Sequence, residues 1–316
     1  MKPALVAVPA AVFAASLGFL AASCGAGDAQ PAGPLPSVEA PQDGSASAPV
    51  ETVEPTETET GTQTETAPST KSAPGDTITY QVWFAQGESL FVTYRTQNAT
   101  RRVGGAAVQA LLEGPTDFEQ GYGLTTAVPE GTQFLGLTIE DGVAHVDLTS
   151  EYESGGGTLS MSMRLAQVVY TLTQFPTVKG VVFSLDGEPI DVLGGEGVVI
   201  DHPLTRKDYA ELLPAILVTR PLLGEKVGNP VVVLGTANVF EANVTVQILN
   251  SRGKEIASTF TTATCGTGCR GSFRVALGYE VDEEQEGTIV VHDDDAAGTG
   301  HPPHEVRIPV TLTPSA

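Results

Sequence analysis

From Gly25 to about Asp76 the chain is built from Pro, Ser, Thr, Ala, Gly, Gln and Glu with almost no large apolar side chain, as in Glu51-Thr-Val-Glu-Pro-Thr-Glu-Thr-Glu-Thr60. Such a segment cannot bury enough surface to offset the entropy of ordering it. Folding is therefore confined to residues 77–316, about 240 residues, more than one small domain usually holds, and two domains are expected. Residues 25–76 read as a linker or stalk: a coil of roughly fifty residues spans about 40 Å, and proline and like charge lengthen it. The Ser/Thr/Pro bias of the stalk also suits O-glycosylation.

The first part of the foldable stretch, residues 77–214, mixes two periodicities. Ile78-Thr-Tyr-Gln-Val-Trp-Phe84 and Leu90-Phe-Val-Thr-Tyr94 are β-branched and aromatic runs separated by Gln86-Gly-Glu-Ser89, which predicts a hairpin. Ala107, Val108, Leu111 and Leu112 recur at helical spacing before the stop Glu113-Gly114-Pro115. Phe134–Ile139 and Val143–Leu148 flank Glu140-Asp141-Gly142, an Asp-Gly hairpin signal. After Gly155-Gly-Gly157, Leu165, Val168, Val169 and Leu172 predict a second helix ending before Pro176, and Val178–Leu185 a last strand. The expected fold class is α+β in the order ββαββαβ, with both helices burying their apolar stripe on a sheet face.

From residue 215 to 316 helical periodicity vanishes. Runs near 216–219, 231–234, 244–249, 256–261, 272–277, 288–291 and 306–312 are short, β-rich and separated by turns, which predicts an all-β sandwich of about seven strands. Alternation is clearest in Val244-Thr-Val-Gln-Ile248, one face apolar and the other polar.

The N-terminus has one early positive charge, Lys2, an apolar stretch from Ala4 to Leu20, and small residues before Cys24, the three parts of a secretion signal. Ala22-Ser23-Cys24 with Leu20 upstream resembles a bacterial lipobox, which implies that residues 1–24 are a signal peptide and that the Cys24 sulfur is acylated, as with palmitate. The alternative is an uncleaved anchor helix, since the run approaches the length of a bilayer span. Either way the rest of the chain is expected outside the cytoplasm, tethered to the cell membrane. Acylation of Cys24 leaves Cys265 and Cys269, in Cys265-Gly-Thr-Gly-Cys269, to form a disulfide; the competing reading is a redox pair or two metal ligands, which would call for further His or Cys nearby.

At this point the residues carry a family resemblance. Leu111-Leu-Glu-Gly-Pro115, Val128-Pro-Glu-Gly-Thr132, Asp141-Gly-Val-Ala-His-Val-Asp-Leu148 and Gln167-Val-Val-Tyr-Thr-Leu-Thr-Gln-Phe-Pro176 resemble, in that order, the GerMN domain of sporulation and spore-germination proteins, over about 79 to 192. Thr219-Arg-Pro-Leu222, Val233-Leu-Gly-Thr-Ala-Asn-Val-Phe240 and Gly271-Ser-Phe273 resemble the immunoglobulin-like domain of bacterial spore germination, a companion of GerMN, over about 215 to 312. The resemblance implies envelope domains of assembly or binding, without catalytic residues.

Composition and motifs narrow the function classes. Lys+Arg 16 against Asp+Glu 38 gives a formal net charge of −22, which argues against nucleic acid as a partner. No Gly-x-Ser-x-Gly or phosphate loop occurs, and His145, His202 and the basic spot Arg101-Arg102 read as structural or solvated. His292 and Asp293-Asp-Asp295 followed by His301 and His304 offer oxygen and imidazole ligands, yet the intervening Gly and Pro also describe a solvated hairpin tip. No catalytic, cofactor-binding or metal residues are assigned. The expectation is a lipid-anchored, non-enzymatic binding or assembly module of the bacterial envelope whose partners are an envelope protein or cell-wall polymer. The alternatives are a cell-wall or polysaccharide hydrolase, which needs two convergent carboxylates or a metal, and a solute-binding lipoprotein, for which the chain is too short.

Overall fold

A computed structural model describes residues 76–194, 197–294 and 304–314. The expected signal peptide, Cys24 and the stalk lie outside these residues. Among the described residues no helix is long and apolar enough to cross a membrane.

β1 (Thr77–Gln86) and β2 (Ser89–Asn98) form the first hairpin, in register from Thr77↔Asn98 to Gln86↔Ser89. α1 (Val103–Leu112) follows, then α2 (Asp117–Gly121) and the two-residue β3 (Leu124–Thr125), which joins the free edge of β1. β4 (Phe134–Glu140) and β5 (Val143–Leu148) form the second hairpin. Asp141 and Gly142 at its turn both have positive φ, 50° and 85°, the left-handed pair that a two-residue hairpin turn with the strands' own twist requires. α3 (Thr158–Leu172) then crosses over to β6 (Gly180–Leu185), which runs parallel to β5 as a helical connection permits. β7 (Glu188–Pro189) extends that sheet, and β8 (Val192–Leu193) pairs with β9 (Val198–Val199).

The expected ββαββαβ order is thus present with insertions. α2, β3, β7, β8 and β9 are only two to five residues long, too short to register a period in the sequence. The strands divide into two sheets, β2-β1-β3 and β4-β5-β6-β7. α1 packs against β1 and β4, and α3 against β1, β2 and β6, so the helices bury themselves between two sheets rather than on one face.

That difference has a cause visible in α3. Every residue from Met163 to Leu172 is buried, including Arg164, Gln167 and Thr171, so the helix is enclosed on all sides and its polar members must find partners within the protein. The terminal nitrogens of Arg164 donate to backbone carbonyls, while its Nε has no partner among the described residues. The Gln167 side chain donates to the Trp83 carbonyl at 3.0 Å and accepts from the Ala127 N–H at 2.8 Å, and Thr171 accepts from the Trp83 N–H at 3.2 Å. These bonds fasten helix to strand in a way that a purely apolar stripe does not specify.

A 3₁₀ segment, Arg206–Leu212, leads into the second half. β10 (Ile216–Arg220), β12 (Val231–Ala237) and β15 (Gly271–Leu277) form one sheet. β11 (Lys226–Val227), β17 (Glu305–Leu312), β16 (Gln285–His292), β13 (Asn243–Asn250) and β14 (Glu255–Thr262) form the other, in that spatial order. All seven expected strands occur, and β11 adds a two-residue parallel pairing to β17. Burial alternates along β12 and β13, with Val233, Val246, Ile248, Ile289, Val291 and Ile308 meeting between the sheets. The fold is therefore an α+β half followed by an all-β immunoglobulin-like sandwich, and the two halves belong to one compact unit.

Candidate functional site

The halves are held together by polar contacts at defined points. The Tyr94 hydroxyl on β2 donates to the Thr219 carbonyl on β10 at 3.2 Å, and the Arg220 guanidinium lies 6.0 Å from the Tyr94 ring centre. Arg270 donates to the Pro214 carbonyl at 2.6 Å. With the halves fixed, the outward face of the five-stranded sheet and the short helix α2 enclose a cleft of about 640 Å³, within the size range of small-ligand sites and at a domain junction, where such sites concentrate.

α2 forms one wall, and its position follows from local sequence. Thr116-Asp-Phe-Glu119 is a capping box: the Thr116 hydroxyl accepts from the Glu119 N–H, and the Glu119 carboxylate accepts from the Thr116 N–H at 2.8 Å. Glu119 also takes both terminal nitrogens of Arg95 on β2 at 2.7 Å each. One face of the helix is thereby pinned inward, and Phe118 is turned outward with 56% of its surface exposed. Its ring lies over Gly224, where an added Cβ would come within 3.1 Å of it.

Burial alone would raise the Glu119 carboxyl, but the Arg95 and Thr116 hydrogen bonds outweigh it and hold the group below its ordinary range. A carboxyl depressed in the folded state contributes stability above its unfolded pKa, and that contribution is lost as pH falls through the folded value. Glu119→Gln is therefore expected to cost about 2 kcal/mol at neutral pH. The difference between variant and wild type should shrink below about pH 4.5; urea unfolding at pH 7 and pH 3 measures both.

The floor of the cleft is the outer face of β13, β16 and β17. Leu249, Thr288 and Pro309 are register partners across it, flanked by Glu286 opposite Thr311 and by Arg307 opposite Val290. Arg307 donates through Nε to Glu305 at 2.6 Å; its terminal nitrogens and the Glu286 carboxylate have no partner among the described residues. Burial pushes the Tyr122 phenol at the end of α2 up to about 12, against the lowering effect of Gln86 and of the Arg307 charge. Chemically the cleft offers one carboxylate, one guanidinium, hydroxyls and an aromatic ring. Its described lining lacks the pair of carboxylates on which glycoside hydrolysis depends.

The described residues among those singled out in the sequence lie elsewhere. Cys265 and Cys269 are joined in a disulfide in the β14–β15 connection, with Cα atoms 5.8 Å apart. That loop is seated on the β12–β13 connection by Thr267 N–H to Val239 O at 2.9 Å and Gly268 N–H to Asn238 Oδ1 at 3.0 Å. So short a loop makes the disulfide a local staple, and Cys265→Ser with Cys269→Ser is expected to lower stability by about 2 kcal/mol; thermal unfolding with and without reductant gives the same comparison in the unsubstituted chain.

Asp293 is buried and bound by His304, through its backbone N–H and through Nδ1 at 2.9 Å, which closes the base of the β16–β17 connection. His292 Nδ1 lies 3.0 Å from the Asp293 carbonyl oxygen and 3.7 Å from Asp294. Asp295 and His301 lie outside the described residues, and among the described ones no three His, Cys, Asp or Glu side chains are grouped to hold a metal. His145 is exposed on β5. His202 is exposed between Asp201 at 2.6 Å and Asp208 at 3.2 Å, hydrogen bonds that raise its pKa. Arg101 and Arg102 are exposed before α1. None of the described ones lines the cleft.

The cleft itself goes unread in the sequence because its walls come from positions 118, 249–253, 286–288 and 307–311. One signal was available: a capping box enclosing an aromatic residue that matches no core stripe.

No curated protein matches the chain. Among solved structures, the first GerMN domain of the sporulation protein GerM from Bacillus subtilis aligns at 20% identity over 42% of this chain and 99% of that one, with a TM-score of 0.35. The tandem GerMN domains of the same protein align at 14% identity over 75% of this chain and 61% of that one, TM-score 0.37, so the match spans less than two thirds of that structure. A putative lipoprotein from Clostridium perfringens aligns at 22% identity over 43% and 93%, TM-score 0.32. Residues 79–191 match the family described as Germane, sporulation and spore germination, and residues 215–299 match Gmad2, the immunoglobulin-like domain of bacterial spore germination. By these matches residues 79–191 are similar to the sporulation and spore germination family and residues 215–299 to the immunoglobulin-like domain of bacterial spore germination.

Proposed function

We propose that this protein is a non-enzymatic binding or assembly module of the bacterial cell envelope, held on the extracytoplasmic face of the membrane by a lipid on Cys24. The observation that carries the reading is the pairing of two germination-family domains, at 79–191 and 215–299, neither of whose descriptions names a reaction. The apolar N-terminal run, the small residues before Cys24 and the polar stretch to residue 76 support the anchor and stalk. The partner is an envelope protein or cell-wall polymer, and the acidic balance of the chain disfavours polyanions.

Affinity capture from detergent-solubilised envelope, after mild cross-linking, is expected to recover a specific protein or cell-wall polymer with the chain. Recovery of neither would count decisively against the proposal. In the same cells Cys24→Ser should move the protein from the membrane fraction to the soluble one; a variant that still carries lipid would remove Cys24 from the account.

A further inference from the structure

We infer that the cleft between α2 and the outer face of the five-stranded sheet binds a short extended peptide with a free amino end and a free carboxyl end. The inference rests on the binding-module reading and names the ligand class for it.

The geometry of two charges supports it. Glu305, Arg307, Pro309 and Thr311 alternate with the buried side of β17 and so share its outer face, as Glu286, Thr288 and Val290 do on β16. Glu286 stands opposite Thr311, and Arg307 is four residues back along the same strand. At about 3.3 Å per residue the carboxylate and the guanidinium are anchored about 13 Å apart along the sheet, and an extended tetrapeptide spans about 13 Å.

The register pair Thr288 and Pro309 lies between the two charges, and with Thr311 beside Glu286 adds none of its own. An ammonium group at the Glu286 end and a carboxylate at the Arg307 end would each meet an opposite charge. The carboxylate would meet the unoccupied side of the guanidinium, whose two terminal nitrogens suit bidentate pairing. Phe118 supplies an apolar wall for a side chain of the peptide.

Charge also discriminates among ligands. The protein carries a formal net charge of −22, so a polyanion is repelled, whereas a zwitterion with no net charge is not. A neutral glycan can hydrogen-bond to both groups but brings no charge to match either end of the cleft.

Isothermal titration of the full chain in detergent with unblocked tetra-L-alanine, its N-acetyl form, its C-terminal amide and chitotetraose tests the assignment. Saturable binding of the unblocked peptide is expected, weakened tenfold or more by blocking either end. Glu286→Gln should abolish the preference for the free amino end alone, and Arg307→Gln the preference for the free carboxyl end alone. Both residues are exposed, and melting temperatures matching wild type would confirm that the variants fold. Equal affinity for blocked and unblocked peptides, binding of chitotetraose in their place, or no saturable heat at millimolar peptide would overturn the inference. If envelope capture succeeds equally with wild type and both variants, the cleft assignment falls while the binding-module reading stands; if capture fails for all three, that reading falls with it.

Discussion

Arg164→Met is expected to destabilise the protein by about 4 kcal/mol, and Arg164→Lys to recover less than half of that loss. Arg164 is 2% exposed on the enclosed helix α3. Its guanidinium donates to the carbonyls of Tyr152, Ser154 at 3.2 Å and Gly155 at 3.0 Å. The segment Ser150–Gly157 therefore closes over the helix by turning its backbone acceptors onto a single buried cation. Burial lowers the Arg164 pKa, yet guanidinium stays protonated wherever the protein folds.

Methionine fills much of the volume but leaves those carbonyls without a donor. Lysine keeps the charge and loses the planar fork that reaches three acceptors at once. Gly156 lies against the same group, since an added Cβ there would come within 2.9 Å of the guanidinium. Urea unfolding measures the stability change, and amide exchange at residues 152–157 should accelerate more than exchange in the sandwich. A loss under about 1 kcal/mol for the methionine variant would show that the loop is held by something else.

Trp83→Ala is expected to cost about 4 to 5 kcal/mol, with Trp83→Phe costing about half as much. Trp83 is the chain's single tryptophan and is 2% exposed at the centre of β1. Its ring lies 4.8 Å from that of Tyr170 on α3, tilted by 53°. Arg206 sits 5.4 Å from the Trp83 ring centre and 4.8 Å from that of Tyr170.

Arg206 in turn donates to the Tyr170 carbonyl at 2.9 Å and to Thr173 at 2.8 Å, while the Tyr170 hydroxyl donates back to the Arg206 carbonyl at 3.1 Å. Strand, helix and the 3₁₀ segment leading to the sandwich meet at these three side chains. Removing the indole opens a large cavity and strips one aromatic face from a half-buried cation. Circular dichroism on urea titration checks the size of the effect. Because Trp83 is the sole indole, Arg206→Gln should shift its emission without abolishing folding, which isolates the cation's share.

How legible the fold was varies by element. The two hairpins of the α+β half were readable because their turns carry Gln86-Gly87 and Asp141-Gly142, and the latter pair adopts positive φ as the turn requires. The ends of α1 and α3 were readable from Gly114-Pro115 and Pro176. The sandwich strands were readable because inward Val and Ile alternate with outward Thr, Gln and Arg. What the pattern concealed was the enclosure of α3. Arg164, Gln167 and Thr171 fall outside the apolar stripe, yet each is buried and bonds to backbone groups 9 to 88 residues away.

The cleft was concealed for a related reason. Glu286 and Arg307 look like two of many solvated charges until strand pairing puts them on one face, and the outward direction of Phe118 is set only once the Arg95–Glu119 pair fixes which side of α2 faces inward. Of the motif that stood out in the sequence, His292 and Asp293-Asp-Asp295 with His301 and His304, the described members Asp293 and His304 are joined by a hydrogen bond.

Within residues 77–316 the sequence by itself determined the main strands and helices and the order of an α+β half before an all-β half, because each follows from local period and turn chemistry. Only the tertiary structure decided which polar side chains are buried and which exposed ones converge. Those outcomes depend on contacts between distant segments, and a charge has the same letter in the sequence whether it faces water, a carbonyl or a cleft.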